Sequence, residues 1–256
     1  MRRFLLFFLH LVPVIAFSAT GTVFISRDTT YSGLVLLDKH IVIRPGKTLT
    51  IAAGAELRLS YGINITTDSL GHILVAGTST QPVRIVPLRS DTYWGSLHAK
   101  GTGATVTVAF AEVVGGQIKA TENAACQVTD SYLHHYNLND NPIVLTKDAV
   151  NAYIARTHVS NYYEINLVRT PSVVEDCLFE FTTADAIDFD NAPAGTVIRR
   201  TTVRYGRGTN IDAIDWGKVD FQPPGSQGRV ENCLIHDFSD KGVSVGEGCL
   251  GVTVTG

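Results

Sequence analysis

The chain has 256 residues, a formal net charge of −3, 45% hydrophobic residues and 18% charged residues. The hydrophobic content is enough for a continuous core in one large or elongated domain. The mild acidity argues against a nucleic-acid partner, because no basic stripe is available to neutralise phosphates.

The first 18 residues are typical of a secretory signal. Arg2 and Arg3 precede an apolar run at 4–17, and Ala16 and Ser18 are small residues spaced for cleavage by a signal peptidase. The run is too short for a membrane span, and no stop-transfer segment follows it. We therefore expect residues 1–18 to be removed and residues 19–256 to be secreted, periplasmic or on the cell surface, with no membrane span.

Short alternating apolar runs begin near residue 41. The stretch "IRPGKTLTIAAGAELRL" is followed by "ILVAGTSTQPVRIVP" and then by "YWGSLHA". Turn residues separate the runs, with Pro45-Gly46 and Ala53-Gly54 between the first of them. This pattern predicts short β-strands joined by tight turns.

Six segments farther along the chain align without gaps: "VAFAEV", "VTDSYL", "IARTHV", "VEDCLF", "IRRTTV" and "VENCLI". Each has a β-branched residue first, a small residue fourth and an apolar residue sixth, and the intervals between them are 20, 26, 20, 24 and 32 residues. The first positions are Val108, Val128, Ile154, Val174, Ile198 and Val230, and the fourth positions are Ala111, Ser131, Thr157, Cys177, Thr201 and Cys233.

A constant unit with variable spacers is typical of a stacked coil whose loops differ in length. The units are rich in Val, Ile and Thr, no 3.6-residue periodicity occurs after the signal, and the frame of a leucine-rich repeat is absent. The sequence therefore predicts an all-β, right-handed parallel β-helix in a single domain, with adjacent strands ~4.8 Å apart. Cys177 and Cys233 then lie two coils apart, roughly 9.6 Å, which is too far for a disulfide bond.

The tetrapeptide Asp-Ala-Ile-Asp occurs at 185–188 and again at 212–215. Because side chains alternate along a strand, the apolar neighbours of each central acid should point inward and the acid outward. The predicted inward residues are Ile187, Phe189, Ile214, Trp216, Val243 and Val245. The predicted outer column is Asn166, Asp188, Asp215 and Ser244, with Asp190 also outward, and Asp185, Asp212 and Lys241 form a second column at the strand starts.

Stacked carboxylates repel each other, so something must stabilise these columns. Three interpretations stay open. The acids could accept hydrogen bonds from backbone N–H groups of the turns, they could hold a hard cation such as Ca²⁺, or they could form a catalytic groove. The metal ligands would be Asp185, Asp188, Asp212 and Asp215.

The motifs at 41–98, together with "DAIDFD", "DAIDWG" and "DKGVSVGEG", resemble coils of exported bacterial right-handed β-helix proteins of the pectin-lyase-like class. Enzymes of this class use carboxylates or Ca²⁺ on the outer strand face to bind uronate sugars, with Lys or Arg as base. Many other members have no assigned chemistry. The resemblance thus implies a substrate groove, for which the candidates are Asn166, Asp188, Asp190, Asp215, Lys218, Lys241 and Ser244.

The leading hypothesis is an exported β-helix domain that binds polysaccharide or a cell-surface glycan. If it is an enzyme, we expect a polysaccharide lyase or another carbohydrate-active enzyme. The alternative is a non-catalytic structural or adhesive surface module. Besides the Ca²⁺ hypothesis, the sequence predicts no cofactor.

Three further expectations come from individual residues. His134 and His135 should not converge on a ligand, because neighbouring strand residues face opposite ways. Trp216 should lie in the core, whereas Trp94 could be core or a sugar-stacking platform. The last residues, "GCLGVTVTG", resemble the start of another coil, so we expect the native domain to continue beyond them.

Overall fold

A computed structural model of the chain describes residues 21–135, 142–217, 225–246 and 248–256. Its regular structure consists of strands in three parallel sheets. Each successive strand of a sheet is the third one along the chain, so every coil contributes one strand to each sheet. The predicted all-β parallel β-helix in a single domain is confirmed. Among the described residues no helix is long and apolar enough to cross a membrane.

Sheet A has ten strands and carries both Asp-Ala-Ile-Asp repeats. They are β1 Thr22–Ile25, β4 His40–Ile43, β7 Ile65–Thr67, β10 Ser96–Lys100, β13 Gln117–Thr121, β16 Val144–Lys147, β19 Ile165–Val168, β22 Ile187–Asp190, β25 Ile214–Gly217 and β28 Val243–Val245.

Sheet B also has ten strands. They are β2 Thr29–Tyr31, β5 Thr48–Ala52, β8 His72–Ala76, β11 Thr105–Ala109, β14 Ala125–Thr129, β17 Asn151–Ala155, β20 Ser172–Glu175, β23 Val197–Arg199, β26 Gly228–Glu231 and β29 Val252–Thr255.

Sheet C has nine strands. They are β3 Leu34–Leu37, β6 Glu56–Leu59, β9 Val83–Pro87, β12 Ala111–Val114, β15 Tyr132–His134, β18 His158–Tyr162, β21 Leu178–Thr182, β24 Thr202–Arg204 and β27 Leu234–His236.

The six aligned segments stack as the sequence predicts. Their first residues pair across neighbouring strands of sheet B, from Val108 opposite Val128 to Ile198 opposite Val230. Their sixth residues pair in sheet C, from Val113 opposite Leu133 to Val203 opposite Ile235. Each segment therefore spans one corner of the coil, between sheet B and sheet C.

The third residue of each segment makes that corner. Its φ lies between 47° and 55° in all six segments, in the left-handed region. This turns the chain sharply, and the small fourth side chain then fits inside the corner. The six residues are Phe110, Asp130, Arg156, Asp176, Arg200 and Asn232.

The core fills the interior of the coil with inward side chains. Ile187, Phe189, Ile214 and Trp216 are all 0% exposed, as predicted. The prediction is wrong for Val245, which is 50% exposed, and Val243 is only partly buried. Both lie on β28, the edge strand of sheet A, and no described strand of this sheet lies beyond it.

All four cysteine thiols are free. Cys177 and Cys233 occupy the same corner position with Thr201 between them, and the Thr201 hydroxyl accepts a hydrogen bond from the Cys177 amide. Burial raises the pKa of the Cys126 and Cys177 thiols to about 12. At the far end of the chain, Val252 and Val254 form β29 and pair with β26, as the repeat pattern predicts.

Candidate functional site

The outer column of sheet A forms as predicted. Asn166 pairs with Asp188, Asp188 with Asp215, and Asp215 with Ser244, on the successive strands β19, β22, β25 and β28. The apolar residues between them are buried, so the alternation of the strands turns all four polar side chains to the outer face. Both acids are half-buried rather than fully exposed.

Asp188 lies in the most unusual environment of this column. The Asn166 amide Nδ2 donates to Asp188 Oδ2 at 2.9 Å, whereas Asp188 Oδ1 is buried and has no hydrogen-bond partner among the described residues. Burial, and then the nearby carboxylates, of which Asp190 has the largest effect, raise the pKa of Asp188 to about 8. This environment therefore favours the protonated form of Asp188.

Asp215 is less strongly perturbed. Burial raises the pKa of its carboxyl, but a hydrogen bond from Ser244 lowers it. The two stacked acids thus have different environments. Asp188 accepts a hydrogen bond from the Asn166 amide and has one buried oxygen without a partner among the described residues, whereas Asp215 accepts from the Ser244 hydroxyl group. A pair of acids in contrasting environments can divide between protonated and ionised roles.

The strand-start column is a hydrogen-bonded ladder. Asp185 Oδ1 accepts from the backbone amide of Asp212 at 2.7 Å, and Asp212 Oδ1 accepts from the amide of Lys241 at 2.8 Å. The backbone hydrogen bonds of the first interpretation are therefore present in this column, although Asp212 is buried, with 8% exposure. Each acid joins its own coil to the next one.

Of the two lysine candidates for the groove, Lys241 is among the described residues. Lys241 is exposed, and its ammonium group lies 3.6 Å from Asp212 and also contacts Asp240. These contacts, chiefly the one with Asp240, raise the pKa of Lys241. Lys218 lies outside the described residues.

Asp190 is less accessible than its outward position predicts. It is 8% exposed and follows Asp188 on the same strand, opposite Gly217 of the next coil. The side chain lies close to that glycine, since a Cβ added to Gly217 would be 2.7 Å from Asp190 Oδ1. Asp190 thus lies beneath the surface of the site rather than on it.

The metal-ion prediction for Asp185, Asp188, Asp212 and Asp215 stays a prediction. Among the described residues, no group of three or more His, Cys, Asp or Glu side chains is placed to hold an ion. Two of the four predicted ligands, Asp185 and Asp212, already accept backbone hydrogen bonds.

The tryptophans do not offer stacking platforms for sugars. Trp94 is 1% exposed, and its indole N–H donates to the Val114 carbonyl at 2.7 Å. Trp216 is fully buried and stacks on Phe189, with ring centroids 4.4 Å apart and an interplanar angle of 15°. This stacked pair lies beneath Asp188 and Asp215 and supports the outer column from inside.

The prediction that the side chains of His134 and His135 point in opposite directions is wrong. Strand β15 ends at His134, and His135 has φ 55°, so the chain leaves the strand there and strand alternation no longer applies. The two side chains converge, with their Nδ1 atoms 2.5 Å apart. The sequence carried no signal for this left-handed residue apart from its place two positions after a repeat unit.

The raised pKa of Asp188 predicts how stability depends on pH. The folded protein binds this proton more tightly than the unfolded chain does, so the stabilisation is complete below the unfolded value of about 3.9 and is lost as the pH rises to about 8. Asp188→Asn should therefore unfold at higher urea concentration than the wild type near pH 8. We expect a gain of up to about 5 kcal/mol there, at about 1.4 kcal/mol per pH unit, shrinking toward zero near pH 4.

Asp130→Asn is the matched control for this experiment. Arg156 lowers the pKa of the Asp130 carboxyl, so that group stabilises the fold at high pH and loses the effect as the pH falls. Its substitution should give the opposite pH dependence. If the free energies of unfolding of the wild type and Asp188→Asn change in parallel between pH 4 and pH 8, the pKa of Asp188 is not raised in the folded protein.

No protein-family model matches the sequence, and no curated protein matches it. Two solved structures are similar in fold. A mutant of the periplasmic alginate epimerase AlgG aligns with 10% identity and a TM-score of 0.39, over 88% of this chain and 79% of that chain. The Dettilon tailspike protein aligns with 10% identity and a TM-score of 0.26, over 88% of this chain and 60% of that chain.

Proposed function

We propose that the chain is an exported β-helix module that binds polysaccharide on the outer face of sheet A. The observation that carries this proposal is the outer column Asn166, Asp188, Asp215 and Ser244, held in register over four successive strands. A linear glycan lying along the stack would meet a hydrogen-bonding side chain every ~4.8 Å. The export part of the proposal rests on the signal-like residues 1–18.

The same column supports acid–base processing of the bound glycan. Asp188 would act as the acid, because its burial and the nearby carboxylates favour its protonated form, and Asp215 would act as the carboxylate partner. Cleavage of glycosidic bonds commonly uses two carboxyl groups in contrasting protonation states. Lys241 suits the role of base less well, since a base must be deprotonated and its ion pairs raise its pKa.

A purely structural or adhesive module is the second candidate. The Asp185–Asp212 ladder favours it, because these acids already serve to join coils. The two candidates differ in what they predict for the outer column. An architectural role allows its side chains to be replaced with no effect on ligand binding, whereas a binding role does not.

A glycan array and turnover assays on the same polymers would test the leading proposal. The array should include neutral and uronate-containing polysaccharides, and the assays should detect new reducing ends and unsaturated products. Binding of a polysaccharide class supports the module, and turnover abolished by Asp188→Asn supports the processing role. Absence of both binding and turnover would favour the structural alternative.

Calcium binding is a separate prediction for the same face. Oxygen ligands from Asp188 and Asp215, with Asp185 and Asp212 nearby, suit a hard cation, and a bound cation would also lower the pKa of Asp188. Millimolar Ca²⁺ should then raise the melting temperature of the wild type but not of the Asp188→Asn/Asp215→Asn double variant. If calorimetric titration of the wild type gives no heat and the melting temperature does not change, the calcium hypothesis is wrong.

A further inference from the structure

His134 ends a strand of sheet C and His135 follows it, whereas the acidic column lies on sheet A. His134 is the last residue of β15, and His135 forms the left-handed corner that follows it. The same corner position is left-handed in other coils, at Asn161, Phe181 and Tyr205, so the fold itself imposes this conformation. The corner directs the His135 ring back toward the His134 ring, and the ring centroids are 4.8 Å apart.

Neighbouring side chains fix the orientation of His134. Its ring stacks on Tyr132 at a centroid distance of 4.1 Å, and its Nε2 atom lies 3.3 Å from Glu112 Oε1. Glu112 also accepts a hydrogen bond from Arg84 at 2.8 Å, which keeps the carboxylate in place. With the Nε2 proton donated to Glu112, His134 Nδ1 presents its lone pair to His135.

A carboxylate behind one imidazole nitrogen is the usual support of a metal-ligating histidine. It fixes the tautomer and increases the basicity of the other nitrogen. Here that other nitrogen, His134 Nδ1, lies 2.5 Å from His135 Nδ1. Two facing lone pairs this close repel, so the two nitrogens either share a proton at this distance or move apart around a cation.

We propose that His134 and His135 form a two-histidine site for a divalent transition-metal ion such as Zn²⁺ or Cu²⁺, with Glu112 as its supporting carboxylate. Imidazole is a favoured ligand for these ions. With Zn–N bonds of about 2.0–2.1 Å in tetrahedral geometry, the two nitrogens would be about 3.3 Å apart. A small rotation of the exposed His135 ring provides this separation.

Among the residues that the structure describes, no third His, Cys, Asp or Glu side chain is placed to hold an ion together with this pair. His135 is exposed, whereas the His134 side chain is 12% exposed. One ligand is thus held rigidly by the fold and the other can adjust. An ion bound there would keep water or another small ligand in its remaining positions.

Titration of the whole protein with ZnCl₂ and with CuCl₂ tests the proposal. His135→Asn removes one ligand and keeps a residue that tolerates the left-handed corner. It should weaken binding at least about tenfold, and Glu112→Gln should weaken it about tenfold or more through its effect on His134. His98→Gln, on sheet A, is the control and should bind as the wild type does.

Electron paramagnetic resonance of the Cu²⁺ complex gives a readout that a structural role would not change. The wild type should show coupling to two imidazole nitrogens, and His135→Asn to one. Equal thermal unfolding of the variants without metal would show that they fold. If neither ion binds saturably at millimolar concentration, or if the spectrum and affinity are the same in wild type and His135→Asn, the pair only shares a proton and the proposal is wrong.

Discussion

Phe189→Ala should lower the free energy of unfolding by about 3–5 kcal/mol, the usual cost of removing a large buried aromatic side chain. Phe189 is fully buried on β22 and stacks on Trp216 of the next coil. The substitution therefore removes both apolar burial and a stacked ring, and it leaves a cavity that neighbouring coils cannot close without breaking their register. Urea unfolding followed by tryptophan fluorescence would measure the change.

Phe189→Leu is the control for this substitution. It keeps most of the apolar volume, so we expect a loss of about 1–2 kcal/mol. A loss below about 1 kcal/mol for Phe189→Ala would mean that the side chain does not lie in the core. The inward assignment of β22, and with it the outward assignment of Asp188, would then be wrong.

Gly116→Ala should destabilise the fold by about 3 kcal/mol or more, at the upper end of the usual overpacking range. An added Cβ would lie 2.0 Å from Trp94 Cε2, far inside van der Waals contact. Trp94 cannot move aside easily, because it is buried and its indole N–H is hydrogen-bonded to Val114. Chemical unfolding of the variant at one fixed pH would measure the loss.

Gly33→Ala separates this steric effect from backbone strain. Gly33 has φ 63° but no atom within 4 Å of an added Cβ, so the substitution costs only the left-handed conformation, about 1–2 kcal/mol. Replacing Trp94 with Leu should partly rescue Gly116→Ala, since it makes room for the methyl group. If Gly116→Ala costs no more than Gly33→Ala, the packing of Trp94 differs from the one described.

The stacking register was predictable because the sequence repeats it. Val or Ile opens each six-residue unit, and the two copies of Asp-Ala-Ile-Asp keep the same frame. Alternation then determines which side of sheet A each acid faces. For this reason the column Asn166, Asp188, Asp215 and Ser244 follows from the sequence alone, even though the spacers between the units differ in length.

The corners were not predictable in the same way. Left-handed residues are usually Gly, Asn or Asp, yet the corners of this fold also use Phe110, Arg156 and Arg200. Stacking of neighbouring coils imposes this conformation against the local preference of the residue. The side chains of His134 and His135 converge because of such a corner. Strand alternation does not apply there, so the prediction that they point in opposite directions was wrong.

The environment of the acids also required the structure. The sequence predicts that Asp188 faces outward, but not that its Oδ1 atom is buried. Nor does it distinguish Asp185, whose side chain binds the backbone of the next coil, from Asp188, which contacts the Asn166 amide. These differences come from packing between coils that are more than 20 residues apart in the chain.

The most direct test of glycan binding on sheet A is calorimetric titration of one polysaccharide into matched variants. The ligand would be the polysaccharide that the wild type binds best, and the variants would be Asp215→Ala on sheet A and Gln127→Ala on the exposed outer face of sheet B. Asp215→Ala removes one hydrogen bond to a charged group, which contributes about 1.5–3 kcal/mol to binding. We therefore expect at least a tenfold weaker affinity for this variant. Gln127→Ala should bind as the wild type does, and equal affinity of all three proteins would contradict a glycan site on sheet A.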